Sequence, residues 1–209
     1  MPFFDNITTP NGIIPIWKLS DTLDELNTFC TLNTSDKIKY DQLHSERRKK
    51  EFLASRILIQ QLIPTKELLY NQAGKPYIRN SPKHISISHS ANFAAVIVSD
   101  RRVGIDIEQA TRNIDKVATR FLHPDEQNFI AQQKNQQFAK ILFWAAKEAI
   151  FKCSEFQGIQ FNEQIFIDSF SIEKSNKFSG SLFTSLKKVN YNLYYYSIEN
   201  NVMVYCVEQ

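Results

Sequence analysis

The same order of periodicities runs twice along this chain: a strand, then helices, then several strands, each pass taking about half of its 209 residues. Strand side chains repeat every two positions and helix side chains every 3.6, so the switching pattern separates the two kinds of element along the sequence. The order predicts two α+β lobes packed together, residues 1–100 and 101–209, with no low-complexity linker between them. In the first half, Ile13 to Leu19 reads as a strand, and Asp21 to Leu32 as a short helix opened by Ser20. Ser45, followed by Arg47, Arg48, Lys49 and Lys50, leads into an apolar run from Phe52 to Ile63 that Pro64 stops. Asn71 to Pro76 is turn chemistry, because Gly74 tolerates positive φ and Pro76 presets the next bend. Ile85 to Ser90 alternates, and Phe93 to Val98 is nearly continuously apolar, which predicts a buried strand. The second half opens with a strand from Val103. It continues with helices around Pro124 to Gln133 and Gln136 to Cys153, and ends in strands from Ile165 onward.

A hydrophobic content of 43%, with 16 Phe and 8 Tyr, is enough for a packed core and excludes a disordered chain. Cys30, Cys153 and Cys206 are odd in number and lack a C-x-x-C pair, which argues against a disulfide framework or a thiolate zinc site. No segment reaches the roughly 18 apolar residues of a membrane span, and Met1 to Asn11 lacks a signal-peptide pattern, so the expected location is the cytoplasm. A formal charge of +3 is too weak to imply nucleic acid, but it suits an acidic protein partner or a polyanionic cofactor.

In Val103 to Glu108, three apolar residues alternate with Gly104, Asp106 and Glu108, so both carboxylates share one strand face. At i and i+2 they lie about 7 Å apart and repel unless water or a cation stands between them. The plain alternative is a solvated strand face. On the helix from Gln136 to Cys153, Ile141, Leu142, Ala145 and Ala149 form the apolar stripe, which sets Glu148 on or beside a buried face. Its plain alternative is an i,i+4 ion pair with Lys152. Three carboxylates without a thiolate cluster or His-x-x-x-His favour a hard, oxygen-loving cation. Mg²⁺ fits best, and it is usually shared with substrate phosphates.

Phe52, Arg56, Ile59 and Ile63 fall at helical spacing, so Arg56 stands in an apolar line and either snorkels to the surface or meets an anion in a cleft. Arg47 and Lys50 alone read as a solvated charge run. Lys75, inside a Gly-Lys-Pro turn, can present its ammonium to a phosphate, and His89 is either a structural histidine or part of a site rim.

Taken together, Gly74-Lys75-Pro76, the SISHS run at Ser86 to Ser90, VGIDIE, and WAAKEAIFK at Trp144 to Lys152 resemble the 4′-phosphopantetheinyl transferase superfamily. The likeness runs from about Glu46 to Lys152, and the length looks like the two-lobed surfactin-synthetase-activating type. Ile85 and Ser86 stand where the family usually has Phe-Asn, and only Gly158 stands where it often has Gly-x-Gly. The resemblance implies a monomer with pseudo-twofold lobes that transfers 4′-phosphopantetheine from coenzyme A to a serine of an apo acyl or peptidyl carrier protein. Adenosine 3′,5′-bisphosphate would be released. It further implies Mg²⁺ on Asp106, Glu108 and Glu148, and Glu148 or a metal-bound water as the base. Lys152 would face the leaving phosphate, and Arg47, Arg56, Lys75, Ser88 and His89 would grip coenzyme A. Two rivals remain: a Mg²⁺-dependent pyrophosphohydrolase acting on nucleotides, and a non-enzymatic carrier-binding protein.

Overall fold

The computed structural model describes residues 3–209; the first two residues of the expected 1–100 lobe lie outside it. Two antiparallel sheets divide the chain. The first draws on β1 (Phe3–Thr9), β2 (Gly12–Lys18), β5 (His84–His89) and β6 (Phe93–Ser99), in the order β1-β2-β6-β5. The second draws on β7 (Val103–Gln109), β8 (Ile165–Ile167), β9 (Lys177–Phe183), β10 (Lys188–Ile198) and β11 (Asn201–Glu208), in the order β7-β11-β10-β9-β8. The hairpin β3 (Leu68–Tyr70) and β4 (Pro76–Ile78) brackets the predicted turn, where Gly74 adopts φ +77°.

Helices α1 (Leu23–Phe29), α2 (Thr34–Asp41) and α3 (Glu46–Leu62) belong to the first half. A short 3₁₀ turn (Asp115–Val117), α4 (Ala118–Phe121), α5 (Pro124–Ala131), α6 (Gln136–Cys153) and α7 (Phe161–Gln164) belong to the second. The Ser45 cap of α3 and both bounds of α6 agree with the sequence reading. The first helix does not start at Ser20 or reach Leu32: Thr22 caps it in a reciprocal pair with Glu25 and it ends at Phe29, and a second helix that the sequence reading did not include follows from its own cap, Asn33. Among the described residues, no helix is long and apolar enough to cross a membrane.

Alternation along the strands sorts three cores. Ile14, Ile16, Phe93, Ala95 and Ile97 turn toward Val103, Ile105, Ile107, Met203, Tyr205 and Val207, which binds the two sheets face to face. The other face of the first sheet, with Trp17, Ala94 and Val96, packs on α3. The other face of the second, with Val202, Val204 and Cys206, packs on α6. Each lobe is therefore an antiparallel sheet carrying one long helix on its outer face, the mixed α+β class expected.

Where β5 runs beside β7, two serines replace an ordinary ladder. The Ile105 N–H donates to Ser86 Oγ at 3.0 Å and the Ile107 N–H to Ser88 Oγ at 3.2 Å. Buried strand donors are thus satisfied by side chains from the neighbouring lobe.

Gly104 sets the distance from α6 to β7. A Cβ there would lie 1.9 Å from the Ala149 carbonyl oxygen and 2.7 Å from the Cys153 nitrogen, so the helix could not stay where it is. Gly104→Ala is expected to destabilise the protein by about 3 kcal/mol, the upper part of the usual range for an overfilled core. Urea unfolding measures this, and a loss below about 0.5 kcal/mol, the usual scale for a surface change, would contradict the packing described.

Candidate active site

Because α6 lies directly on β7, the alternation that turns Val103, Ile105 and Ile107 inward turns Asp106 and Glu108 toward the helix. Asp106 is buried. Its Oδ1 accepts from Lys152 Nζ at 2.6 Å and from Ser88 Oγ at 2.9 Å. Ser88 is fully used: it also accepts from Lys152 Nζ at 2.9 Å and from the Ile107 N–H. Lys152 therefore reaches across to the strand carboxylate, and the i,i+4 pair with Glu148 is not what holds it. Glu108 Oε1 accepts from Arg112 Nη1 at 2.6 Å and from Trp144 Nε1 at 2.8 Å.

Glu148 lies one helical turn before Lys152 and one after Trp144. Burial, then the charges of Asp106 and Glu108, push its carboxyl up from 4.5 to about 7, against the pull of Lys152 and Arg112. The three expected carboxylates thus act on one electrostatic neighbourhood. As placed, no three His, Cys, Asp or Glu side chains among the described residues close into a metal shell; Lys152 and Arg112 supply positive charge there instead. Asp106 Oδ2 is nevertheless buried with no hydrogen-bond partner. An orphaned carboxylate oxygen beside a carboxyl with a raised pKa is a donor set that a hard divalent cation satisfies.

The expected anion-gripping residues separate. Lys75 lines the larger cavity described below and donates to the Cys153 and Ser154 carbonyls, both at 2.9 Å, and so caps the C-terminal end of α6. Arg56 does not snorkel; it meets the Asp36 carboxylate beside the smaller cavity, with its Nε buried and unpartnered among the described residues. It is 3% exposed, pairs with Asp36 at 2.8 Å, donates to Tyr70 Oη at 2.9 Å and stacks on Phe52, which ties α2 to α3. Arg47 is exposed and donates to Glu51 at 2.8 Å. His89 stands at the end of β5 with Nδ1 3.4 Å from Glu51 Oε2.

Sequence reasoning missed Arg112, Ser86 and Glu51. Ser86 engages across lobes, where local spacing gives no signal, whereas Arg112 sits four residues after Glu108, a spacing that could have revealed it. Glu51 sits four residues after Arg47 and three after Arg48, a spacing that could have revealed it.

A cavity of about 1020 Å³ opens beside the network, between the Asn71–Tyr77 turn, the start of β5 and the C-terminal end of α6 from Phe151 to Gly158. A second, of about 300 Å³, adjoins it at Gly74, Pro76 and Ile87 and is walled by Arg48, Glu51 and His89.

An acid that binds its proton more tightly when folded contributes stability that is complete below its ordinary value and lost as pH rises through its folded one. For Glu148 that window runs from 4.5 to about 7. Glu148→Gln removes the loss. In protein without divalent cations, the melting temperature of the variant minus that of wild type should therefore grow across this window. A difference that stays flat or shrinks would contradict the crowding of the three carboxylates.

Comparison with known proteins places this geometry. A model of the 4′-phosphopantetheinyl transferase superfamily matches residues 102–206, half of the chain. The 4′-phosphopantetheinyl transferase gsp of Aneurinibacillus migulanus is 33% identical over 130 residues, 60% of this chain and 52% of that protein. Psf-1 of Bacillus pumilus is 34% identical over 95 residues, 43% of this chain and 41% of that one. HetI of Nostoc sp. is 26% identical over 174 residues, 74% of this chain and 73% of that one. The matches thus span only about half the length of the first two relatives. Asp106, Glu108, Glu148 and Lys152 all lie inside the matched segment, and the chain belongs to the 4′-phosphopantetheinyl transferase superfamily.

Proposed function

We propose that this chain transfers 4′-phosphopantetheine from coenzyme A to a serine of an apo acyl or peptidyl carrier protein and releases adenosine 3′,5′-bisphosphate. The observation that carries the reading is the seating of α6 on Gly104. It brings Glu148 and Lys152 over the strand face of Asp106 and Glu108, beside a cavity of about 1020 Å³. That volume is at the upper end of the usual range for a small-molecule site and suits a ligand as large as coenzyme A.

Asp106, Glu108 and Glu148 would hold Mg²⁺, which when bound neutralises pyrophosphate charge and favours in-line displacement at phosphorus. The remaining steps belong to this chain's own side chains. Glu148, or a water that it orients, takes the proton from the serine hydroxyl as the oxygen attacks the β-phosphorus and the bond from that phosphorus to the adenosine bisphosphate breaks. Lys152 is drawn from Asp106 toward the leaving phosphate and stabilises the charge that grows there. His89 and the arginines at the start of α3 face the phosphates of coenzyme A. Lys75 acts at one remove, by fixing the end of α6 that carries Lys152. The mildly basic chain would draw an acidic carrier protein toward it. We further propose a cytoplasmic monomer with lobes 1–100 and 101–209.

Intact mass spectrometry of a panel of apo carrier proteins, incubated with the chain, Mg²⁺ and coenzyme A, tests the reading. One phosphopantetheine should be added to at least one carrier. Asp106→Ala and Glu148→Gln should slow transfer by roughly 10²–10⁴-fold while keeping the fold. Full activity in either variant contradicts the assignment. Consumption of coenzyme A without a carrier would favour a pyrophosphohydrolase, and calorimetry showing no binding of Mg²⁺ or coenzyme A would favour a non-enzymatic binder.

A further inference from the structure

Glu51 is 2% exposed, whereas the arginines that pair with it are largely in solvent. Its Oε1 accepts from Arg47 Nε at 2.8 Å, and its Oε2 from Arg48 Nη1 at 3.1 Å, with His89 Nδ1 3.4 Å away. A buried carboxylate is costly to keep, and two of the three groups that compensate this one, Arg48 and His89, line the smaller cavity beside it. The neighbouring cations do not compete for it: Lys50 pairs with Glu46, Lys49 stands over the Tyr40 ring, and Arg56 is matched by Asp36.

The group therefore gathers two guanidiniums and an imidazole around one negative charge, leaving a positive surplus. The single hydrogen bond that Arg48 gives Glu51 uses one corner of a five-donor fork, and the rest remains for another acceptor. Burial disfavours the charged form of His89, Glu51 opposes that effect, and Lys152 and Arg48 add to it. Without Glu51, nothing among the described residues would hold the largely exposed Arg48 side chain against the cavity wall.

We infer that Glu51 is a positioning residue: its buried carboxylate holds Arg48 and His89 in the wall of the smaller cavity, where they face the terminal 3′-phosphate of the substrate. The inference rests on the coenzyme A reading given above, and it concerns recognition of one phosphate rather than the transfer itself.

Calorimetry of adenosine 3′,5′-bisphosphate and adenosine 5′-phosphate separates the two. Glu51→Gln should weaken the bisphosphate by roughly tenfold and leave the 5′-phosphate within about twofold, and Glu51→Asp should recover part of the loss. In steady state with coenzyme A, the loss should fall on KM rather than kcat. Arg48→Gln should show the same selectivity, and adding it to Glu51→Gln should cost little more, because Glu51 acts through Arg48. Equal weakening of both nucleotides, no weakening of either, a fall in kcat at constant KM, or additive losses in the double variant would each overturn the inference. A wild-type chain that binds the bisphosphate selectively but transfers nothing would refute the transfer reading, and the nucleotide selectivity of the variants would still decide the role of Glu51. A wild-type chain that binds neither nucleotide would overturn both.

Discussion

The close approach of α6 to β7, allowed by the missing side chain at Gly104, is the constraint on which the site depends. A strand alone can display Asp106 and Glu108, and a helix alone can display Glu148 and Lys152, but neither makes chemistry at that spacing. Pressed together, they crowd three carboxylates. Burial and mutual repulsion then raise Glu148 to about 7 while no cation stands among them, a tension that a divalent ion would relieve. The same contact lets Lys152 bridge from the helix to Asp106 and Ser88, so both lobes meet at one ammonium.

The lobes are joined by an arrangement that doubles as site architecture. Ser86 and Ser88 satisfy the N–H groups of Ile105 and Ile107, which fixes the register of β5 against β7 and therefore the place of His89 relative to Asp106. Ser86 stands where the family usually has Asn, and its hydroxyl serves here as a structural acceptor. Ser88 gives its one O–H to Asp106 Oδ1 and accepts from Lys152 and the Ile107 N–H, so it ties the strand carboxylate to both lobes.

How much was legible in the sequence follows from the range of each interaction. The alternation in Val103 to Glu108 and the helical stripe from Gln136 to Cys153 are local, and both elements were placed correctly with their faces. α2 was not read because its eight residues from Thr34 to Asp41 are mostly polar and carry no clear apolar stripe, although Asn33 offers it a cap. The contacts of Arg56 and Lys75 were not legible, because Asp36 lies on another helix and the acceptors of Lys75 are carbonyls at the end of α6. Lys147 shows the same limit within the motif itself. It sits beside Glu148 in sequence yet is fully buried on the opposite side, paired with Glu126 at 2.6 Å and donating to the Phe161 and Ile165 carbonyls. That lysine holds the second lobe together and takes no part in the carboxylate cluster.

The central claim is that Asp106, Glu108 and Glu148 serve one divalent ion. A crystal structure with Mn²⁺ and coenzyme A, read through the anomalous signal of the metal, tests it most directly. The account predicts a single strong peak bound by carboxylate oxygens of all three residues, with Lys152 moved from Asp106 toward the pyrophosphate. A peak bound elsewhere, or an ion bound without Glu148, would contradict it.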